Sequence, residues 1–381
     1  MAIPTGAIRY NTDSSKMECF DGTQWWQIAV SSPDLNGGAR GVFPGGGTPT
    51  ILNTIDYITI SSQGNGTDYG DLATTRSSGF SYNSRTRGIV AGGEAPSQTD
   101  SMEYFELASG GTGADFGDLT QSRRACSGGG FSNATRGCAG GGYAAPGWVN
   151  TIDYVTIAST GNAVDFGDLL NTESTMPGSF TNGIRGIFGG GQSTPGGFTN
   201  VIQYVTMATT GNATDFGDLT VTRNQFGSAS NNIIGLWACG ADGSNNYNII
   251  DYVTIMTLGN ATNWGDSTVT NDGRFTAENP TRAVWAGGYG APNGSTVNNT
   301  MDYTTMTTQG NSVDFGDMTI VKYIRGSFAS PTRAVWGGGL GSADNTMDYV
   351  EIMTTGNAID FGDMVAAMGC YGGASTGHGG L

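Results

Sequence analysis

The chain has 381 residues, of which 65 are glycine, 16 basic and 32 acidic, so its formal net charge is −16. Only 13 % of residues are charged and 10 % are aromatic, which excludes the ordinary disordered class. Such an acidic chain is a poor partner for nucleic acid. No apolar run approaches the length of a membrane helix and no signal-peptide pattern opens the chain, so we expect neither membrane insertion nor secretion. Five cysteines indicate no disulfide framework, and the single histidine, His378, argues against a histidine-based metal site.

Residues 1–36 precede the repeats described below and contain the short strand-like segments IRYN, MECF and WWQI. Turns at TDSSK and DGT separate them, so we predict a β-rich arm made of two hairpins. Tyr10, Phe20, Trp25 and Trp26 supply more apolar surface than a solvated tail needs, and three short strands are marginal alone. The arm should therefore pack on something, either another protein or the rest of this chain as a capping ribbon.

The same segment resembles a short module of bacteriophage tail fibres and other virion proteins, of the form G-x-I-R-Y-N-T…E-x-[FY]-D-G-x-x-W. The resemblance implies a virion component, made in the cytoplasm of a host bacterium, whose arm attaches it to other virion proteins. The matching residues are Gly6, Ile8, Arg9, Tyr10, Asn11, Thr12, Glu18, Phe20, Asp21, Gly22 and Trp25.

Residues 37–381 contain seven copies of three phrases in one register, with a period of 46 to 51 residues. The first phrase ends in glycines and starts at Arg40, Arg87, Arg136, Arg185, Ile234, Arg282 and Arg333. The second is an acid or Gln followed by Tyr, starting at Asp56, Glu103, Asp153, Gln203, Asp251, Asp302 and Asp348. The third, DFGDL or a relative of it, starts 12 residues later, at Asp68, Asp115, Asp165, Asp215, Asn263, Asp314 and Asp360.

Each phrase is rich in β-branched and aromatic residues and ends in turn formers, which predicts a short strand. A weaker segment such as TVTRNQFGSAS adds a fourth strand before the next repeat. Four short strands in about 49 residues are typical of a β-propeller blade. We therefore predict an all-β protein with a seven-bladed propeller of four-stranded blades over residues 37–381. The last segment, MGCYGGAST, should join the blade of residues 40–72 and close the ring.

The repeats resemble the kelch repeat, which has an apolar strand ending in Gly-Gly, a strand with Tyr, a later aromatic residue and a terminal basic residue. The basic residues here are Arg76, Arg123, Arg223 and Lys322, and three repeats depart from the pattern with Glu173, Asn271 and Met368. The resemblance covers residues 37–375 and implies a fold without implying a function. Kelch-type copper oxidases need two histidines, and propeller sialidases need an irregular arginine cluster. We find neither, nor a break in repeat symmetry, so we expect no enzyme and no cofactor.

The acids of the DFGD phrases should accept backbone N–H bonds in tight turns, beside a glycine with positive φ. Calcium bound by these carboxylates remains an alternative. Paired glycines predict a close approach of strands. The Arg that starts the glycine phrase should pair with an acid of a neighbouring phrase. A ring of arginines that binds an anion is the alternative. Trp237, Trp285 and Trp336 occupy one equivalent position and should lie in the core between blades.

The loops that follow the glycines vary in length and carry single aromatic residues: Trp148, Phe198, Tyr247 and Tyr289. Loops on a rigid scaffold often carry recognition, so these four are the candidate binding residues. Simple drift in unimportant loops is the other interpretation. The sequence thus predicts a non-enzymatic structural protein of a tailed-phage virion: a tail fibre, baseplate appendage or capsid decoration. Its loops would contact a host glycan or protein, and self-association stays open. A secreted or surface carbohydrate-binding propeller is the alternative.

Overall fold

The computed structural model describes residues 3–11, 16–27, 40–47, 50–94, 96–125, 129–171, 178–193, 197–290, 296–321, 326–339, 344–367 and 374–375. Within these ranges the protein is all-β, with antiparallel sheets and no helix. A membrane-spanning helix is accordingly not found in the described part of the chain. The chain forms two compact units, Met1–Gly37 and Gly38–Leu381.

The first unit, which we call the arm, is a three-stranded antiparallel sheet. Its second turn forms around the Asp21 carboxylate, which accepts the backbone N–H groups of Thr23 at 2.7 Å and Gln24 at 2.8 Å. Gly22 supplies the left-handed conformation that this turn requires, with φ of 103°. Local turn chemistry therefore produces the predicted strands Ile8–Asn11, Lys16–Phe20 and Trp25–Gln27.

In the second unit, each repeat folds as the predicted four-stranded antiparallel sheet, with strands in the order weak segment, glycine phrase, tyrosine phrase and DFGD phrase. We number the sheets 1 to 7 and the strands of each sheet in this order. Sheets 1 to 4 are Ala374–Ser375, Arg40–Gly47, Ile51–Thr59, Thr67–Asp71; Phe80–Asn83, Arg87–Ala91, Ser101–Glu106, Ala114–Asp118; Gly130–Ser132, Arg136–Gly140, Thr151–Thr156, Val164–Asp168; and Gly178–Thr181, Arg185–Ser193, Gly197–Thr206, Thr214–Asp218.

Sheets 5 to 7 follow the same plan. They are Gly227–Ser230, Ile234–Ala238, Tyr247–Thr254, Thr262–Asp272; Phe275–Asn279, Arg282–Ala286, Thr300–Thr305, Val313–Asp317; and Gly326–Ala329, Arg333–Gly337, Thr346–Glu351, Ile359–Asp363. Sheet 5 continues into the short strands Tyr289–Gly290 and Thr296–Val297, and a separate hairpin pairs Tyr143–Ala144 with Gly147–Trp148.

Sheet 1 is assembled from both ends of the second unit. Ala374 pairs with Val42 and Ser375 with Gly41, so the C-terminal strand lies beside the glycine phrase of the first repeat, as the sequence predicts. The remaining strands of this sheet come from residues 40–71. This sheet therefore depends on residues more than 300 positions apart.

The hydrophobic core is divided into seven clusters, each shared by two consecutive sheets. Trp237 from sheet 5 packs with Phe180 and Phe216 from sheet 4, for example. One cluster joins Phe43 and Ile58 of sheet 1 to residues of sheet 7. Trp237, Trp285 and Trp336 are fully buried in these clusters, which confirms their predicted place in the core.

Each DFGD phrase forms a β-bulge against its tyrosine-phrase strand, and six of the seven bulges are capped by the first acid of the phrase. In sheet 2, Asp115 accepts the N–H of Gly117 at 3.1 Å, and Gly117 has φ of 132°. A Cβ on Gly117 would lie 2.5 Å from the backbone of Gly161 in the next repeat, so only glycine fits there. The predicted turn-capping bond recurs at Asp68, Asp165, Asp215, Asp314 and Asp360.

The same bulges connect neighbouring sheets through backbone hydrogen bonds. Gly161 N donates to Phe116 O at 2.6 Å, which links sheets 2 and 3. Gly64 N donates to Phe361 O at 2.9 Å, which links sheet 1 to sheet 7. Equivalent bonds from Gly111, Gly211, Gly259 and Gly356 link four further pairs of consecutive sheets.

The predicted pairing of the repeated arginines with an acid is confirmed at Arg87 and Arg333, whereas the described contacts of Arg136, Arg185 and Arg282 include no ion pair. Arg136 lies 4.6 Å over the ring of Tyr154 and donates to the Met207 carbonyl at 2.7 Å in the next repeat. The same carbonyl contact recurs at Arg40, Arg87, Arg185, Arg282 and Arg333. Ion pairs also form at Arg87 with Glu106 and at Arg333 with Glu351, each within one repeat. The accepting carbonyl belongs to the residue that follows the tyrosine-phrase strand of the next repeat, where the strand ladder has ended.

The buried cations are the terminal basic residues instead. Arg76, Arg123 and Arg223 are at most 1 % exposed and pair with the acid of the next tyrosine phrase: Glu103, Asp153 and Asp251. In the fifth repeat Arg274 takes this role, bonding Asp302 at 2.5 Å, so the assignment of this position to Asn271 is wrong. Lys322, Glu173 and Met368 lie outside the described residues.

Candidate functional site

The variable loops leave the sheets at the paired glycines, which set the direction of the chain. Gly92 has φ of 62° and Gly93 has φ of 106°, both in the left-handed region. A Cβ on Gly92 would lie 2.5 Å from the carbonyl of Arg123. Both the left-handed backbone conformation and the close approach of a neighbouring strand therefore require glycine. The sequence predicts the close approach and does not predict the left-handed conformation.

Trp148 lies in the short hairpin of the third repeat, packed against a second aromatic residue. Its ring meets that of Tyr143 edge to face with centroids 4.6 Å apart. The Arg124 guanidinium lies 5.3 Å from the Tyr143 ring and pairs with Glu94 at 3.2 Å. Because Glu94 belongs to the preceding loop, the second and third loops form one continuous polar and aromatic patch.

The structure places Phe198, Tyr247 and Tyr289 in strands of three successive repeats that contact one another, so the prediction that they lie in loops is wrong. These strands are Gly197–Thr206, Tyr247–Thr254 and Tyr289–Gly290. The Phe198 ring lies 3.0 Å from the position a Cβ on Gly243 would take, in the next loop. Asn246 Nδ2 donates to the Tyr289 carbonyl at 3.1 Å, which joins the fifth loop to the sixth. All three aromatic side chains are half-buried, so each has one covered and one solvent-facing part.

A turn in the fifth loop orients Tyr247. Its hydroxyl donates to Asp242 at 2.7 Å, and the Asp242 carboxylate also accepts the backbone N–H groups of Ser244 and Asn245. The bond from Tyr247, followed by the backbone bonds, lowers the pKa of Asp242 to about 2. Asp242 therefore stays ionised and holds the loop, which makes it unsuitable as a general base.

Beneath the sixth loop, Asp272 is a buried acid paired in the ladder with Tyr289. Burial raises its pKa to about 6, and its Oδ1 atom has no hydrogen-bond partner. The candidate aromatic residues thus occupy two patches, one around Trp148 and one around Phe198, Tyr247 and Tyr289. Among the described side chains, no group of three or more His, Cys, Asp or Glu residues is placed to hold a metal ion.

Sequence reasoning missed Tyr143, Arg124 and Asp242 as parts of these patches. Tyr143 directly follows three glycines in GGGYAAPGW, which could have marked it as a loop aromatic like the four chosen. Arg124 and Glu94 had no such signal, because they are 30 residues apart and meet only through sheet packing. His378, considered earlier, lies outside the described residues, as does Cys126, while Cys19, Cys138 and Cys239 are free thiols.

One face of the arm is apolar and open to solvent. Ladder pairing places Ile8, Cys19 and Trp26 side by side, and Tyr10 opposite Met17 on the same face. Ile8 is 61 % exposed, Tyr10 58 %, Met17 39 % and Trp26 57 %. This cluster, which we call the arm face, is an unusual concentration of exposed apolar side chains for so short a segment.

The opposite face of the arm combines an ion pair with packed aromatic rings. Arg9 pairs with Glu18 at 2.8 Å and lies 4.2 Å from the Trp25 ring, while Phe20 and Trp25 pack with centroids 5.3 Å apart. Hydrogen bonds from Asn11 and Arg9 lower the pKa of Glu18. Phe20 and Trp25 therefore stabilise the arm itself, whereas Tyr10 and Trp26 project on the arm face.

Comparison with known proteins gives no independent assignment. Neither the models of protein families nor the curated proteins contain a match to this chain.

Proposed function

We propose that the second unit is a closed, seven-bladed, kelch-like β-propeller. Three observations support this proposal: seven sheets that share a four-stranded plan, with two further strands on sheet 5; seven cores shared by consecutive sheets; and backbone bonds from sheet 7 to sheet 1. The pairing of Ala374–Ser375 with Arg40–Gly47 would close the ring. This arrangement covers the sheet edges that an open array would leave unpaired.

We further propose that the protein is a non-enzymatic structural component of a tailed-phage virion, attached through the arm and displaying its loops for binding. The single observation that carries this proposal is the exposed arm face. A three-stranded sheet gains little stability from burial while Ile8, Tyr10 and Trp26 remain in water. A partner protein that covers them would supply the missing core, and the resemblance of the arm to tail-fibre modules makes another virion protein that partner.

The test is incorporation into particles made in infected cells. The double variant Ile8→Ser, Tyr10→Ser removes two exposed apolar side chains that have no role in the turn of the arm. The matched control is Val313→Ser, Ile359→Ser, whose targets are 52 % and 54 % exposed in the second unit. We expect the control to be present in purified particles at the wild-type amount and the arm variant to be depleted at least tenfold, by quantitative mass spectrometry.

Three results would count against the proposal. Absence of the wild-type protein from particles would overturn the virion assignment. Equal incorporation of both variants would place attachment outside the arm face. If the purified full-length double variant Ile8→Ser, Tyr10→Ser does not fold, as judged by circular dichroism, the arm caps the propeller instead.

The two loop patches are the proposed binding surface for a host glycan or protein. Their half-buried aromatic rings and fixed polar groups suit recognition. Glycan-array binding that is lost in Trp148→Ala or Tyr247→Ala would identify a carbohydrate partner. Such binding together with failure of the particle test would favour a surface carbohydrate-binding propeller.

A further inference from the structure

The first strands of sheets 2 to 6 line a cavity of about 240 Å³ within the second unit. Five serines of these strands line it, and four of them donate their hydroxyl hydrogen to a backbone carbonyl of the preceding sheet. The distances are 2.9 Å for Ser132, 3.2 Å for Ser179, 3.3 Å for Ser228 and 3.4 Å for Ser230. A hydroxyl has one hydrogen, so these groups can offer only acceptor lone pairs to the cavity.

Glu278 breaks the repeat at this cavity. Its ladder position, opposite Ala283, corresponds to that of Ser132 opposite Gly137 and Ser230 opposite Gly235. The expectation of unbroken repeat symmetry is therefore wrong at this position. The other six sheets hold a neutral residue at this position, whereas sheet 6 holds a carboxylate that lines the cavity.

The Glu278 carboxylate has little compensation from the protein. Burial raises its pKa to about 7, and a backbone hydrogen bond from Ser230 lowers it only in part. The one other charged residue in the described lining is Arg85, an exposed turn residue. Glu278 is half-buried in a lining made mostly of oxygen acceptors, and a carboxylate that has lost part of its water there is stabilised by a proton or a cation beside it.

We propose that this cavity binds a small monovalent cation, with a primary ammonium group held between Glu278 and the serine hydroxyls. One carboxylate balances one positive charge, and an ammonium group offers three N–H donors to a lining of acceptors. The cavity exceeds the volume of about 30 Å³ that one water occupies, which leaves room for a short organic chain. An alkali ion such as Na⁺ or K⁺ would also balance the Glu278 carboxylate and bind the serine oxygens. The experiment distinguishes an alkali ion from an organic ammonium ligand.

The experiment is calorimetric titration of the full chain with ethylammonium chloride, in a buffer free of alkali ions. Because the cation competes with a proton on Glu278, binding should be about tenfold weaker at pH 6 than at pH 8. Glu278→Gln should abolish binding and keep the backbone bond from Ser230. The charge-matched control is Asp317→Asn, an exposed acid of sheet 6 away from the cavity, which should bind like the wild type.

The outcomes separate clearly. Saturable ethylammonium binding with this pH and variant dependence supports the ammonium ligand. The same dependence with KCl or NaCl but not with ethylammonium supports the cation site and overturns the organic ligand. Absence of binding by all three salts at 50 mM, or binding unchanged in Glu278→Gln, overturns the proposal.

Discussion

The junctions between sheets 2 and 3 and between sheets 7 and 1 solve the same problem differently. In both, the acid of a tyrosine phrase accepts a backbone N–H from the loop that follows the preceding sheet: Asp153 from Thr120 at 3.2 Å and Asp56 from Val365 at 2.9 Å. Asp153 also bonds the buried Arg123 at 3.0 Å. No cation among the described residues pairs with Asp56, and its Oδ1 atom has no hydrogen-bond partner.

A third junction, between sheets 3 and 4, avoids the charge altogether. There Gln203 replaces the acid and accepts the Leu170 N–H at 2.6 Å. A buried acceptor at this position is thus tolerated when it is neutral or when an arginine compensates it. Asp56 has neither advantage, so burial raises its pKa to about 6, with Asp68 adding a smaller effect in the same direction. Of these three junctions, the one that joins the two ends of the second unit has the least electrostatic compensation from the described residues.

The largest effect should come from breaking that junction. Deletion of residues 368–381 removes the strand Ala374–Ser375 and exposes the edge of Arg40–Gly47. We expect loss of cooperative unfolding or of soluble protein, measured by thermal denaturation and light scattering. Deletion of residues 1–37 is the control, since that segment is a separate compact unit, and it should leave the transition in place. A C-terminally truncated protein that melts like the full chain would contradict closure by this strand.

A paired junction should be nearly as sensitive when only one partner is removed. Arg223→Met leaves Asp251 buried without its cation, which should cost about 3–5 kcal/mol of the free energy of unfolding. The double variant Arg223→Met, Asp251→Asn should recover more than half of this loss because it restores neutrality, as at Gln203. Denaturant unfolding of the four proteins of the cycle measures both values. A double variant less stable than Arg223→Met would show that the carboxylate acts without its arginine.

Neutralising the unpaired acid should stabilise the protein at neutral pH. The folded state raises the pKa of Asp56 from 3.8 to about 6. The contribution of Asp56 to the free energy of unfolding is therefore most favourable below pH 4 and is lost as the pH rises through 6. Asp56→Asn should therefore add about 1–3 kcal/mol at pH 7.5 and little at pH 4. Asp153→Asn, the paired control, should destabilise at pH 7.5. Equal effects of Asp56→Asn at both pH values would refute the proposed titration.

The smallest effect should come from metal removal. The exposed acids of the DFGD phrases cap turns, as Asp360 does for Gly362 N at 2.8 Å, in contrast to the buried acids of the junctions. EDTA should leave the thermal transition unchanged within error, measured by calorimetry before and after adding Ca²⁺. A fall of several degrees that Ca²⁺ reverses would favour the calcium alternative.

Local chemistry explains what could be predicted. The Gly of each DFGD phrase has φ near 130–155°, and in six of the seven phrases the acid two residues earlier caps it, so the turn is encoded within four residues. Strand number, strand order and the burial of Trp237 likewise follow from short patterns repeated in register. Tyr10 and Trp26 could be chosen as exposed candidates, but which face they share required the ladder register.

The sequence by itself determined the repeat, the four strands of each sheet and the turns between them, because these depend on residues a few positions apart. Tertiary structure alone decided which arginines are buried and that Arg274, not Asn271, bonds Asp302. It also decided that no cationic side chain among the described residues pairs with Asp56. It also placed Glu278 in a cavity of hydroxyl acceptors. Those outcomes depend on contacts between residues about 28 positions apart or more. Side chains from other strands then set the free-energy cost of removing a charged group from water.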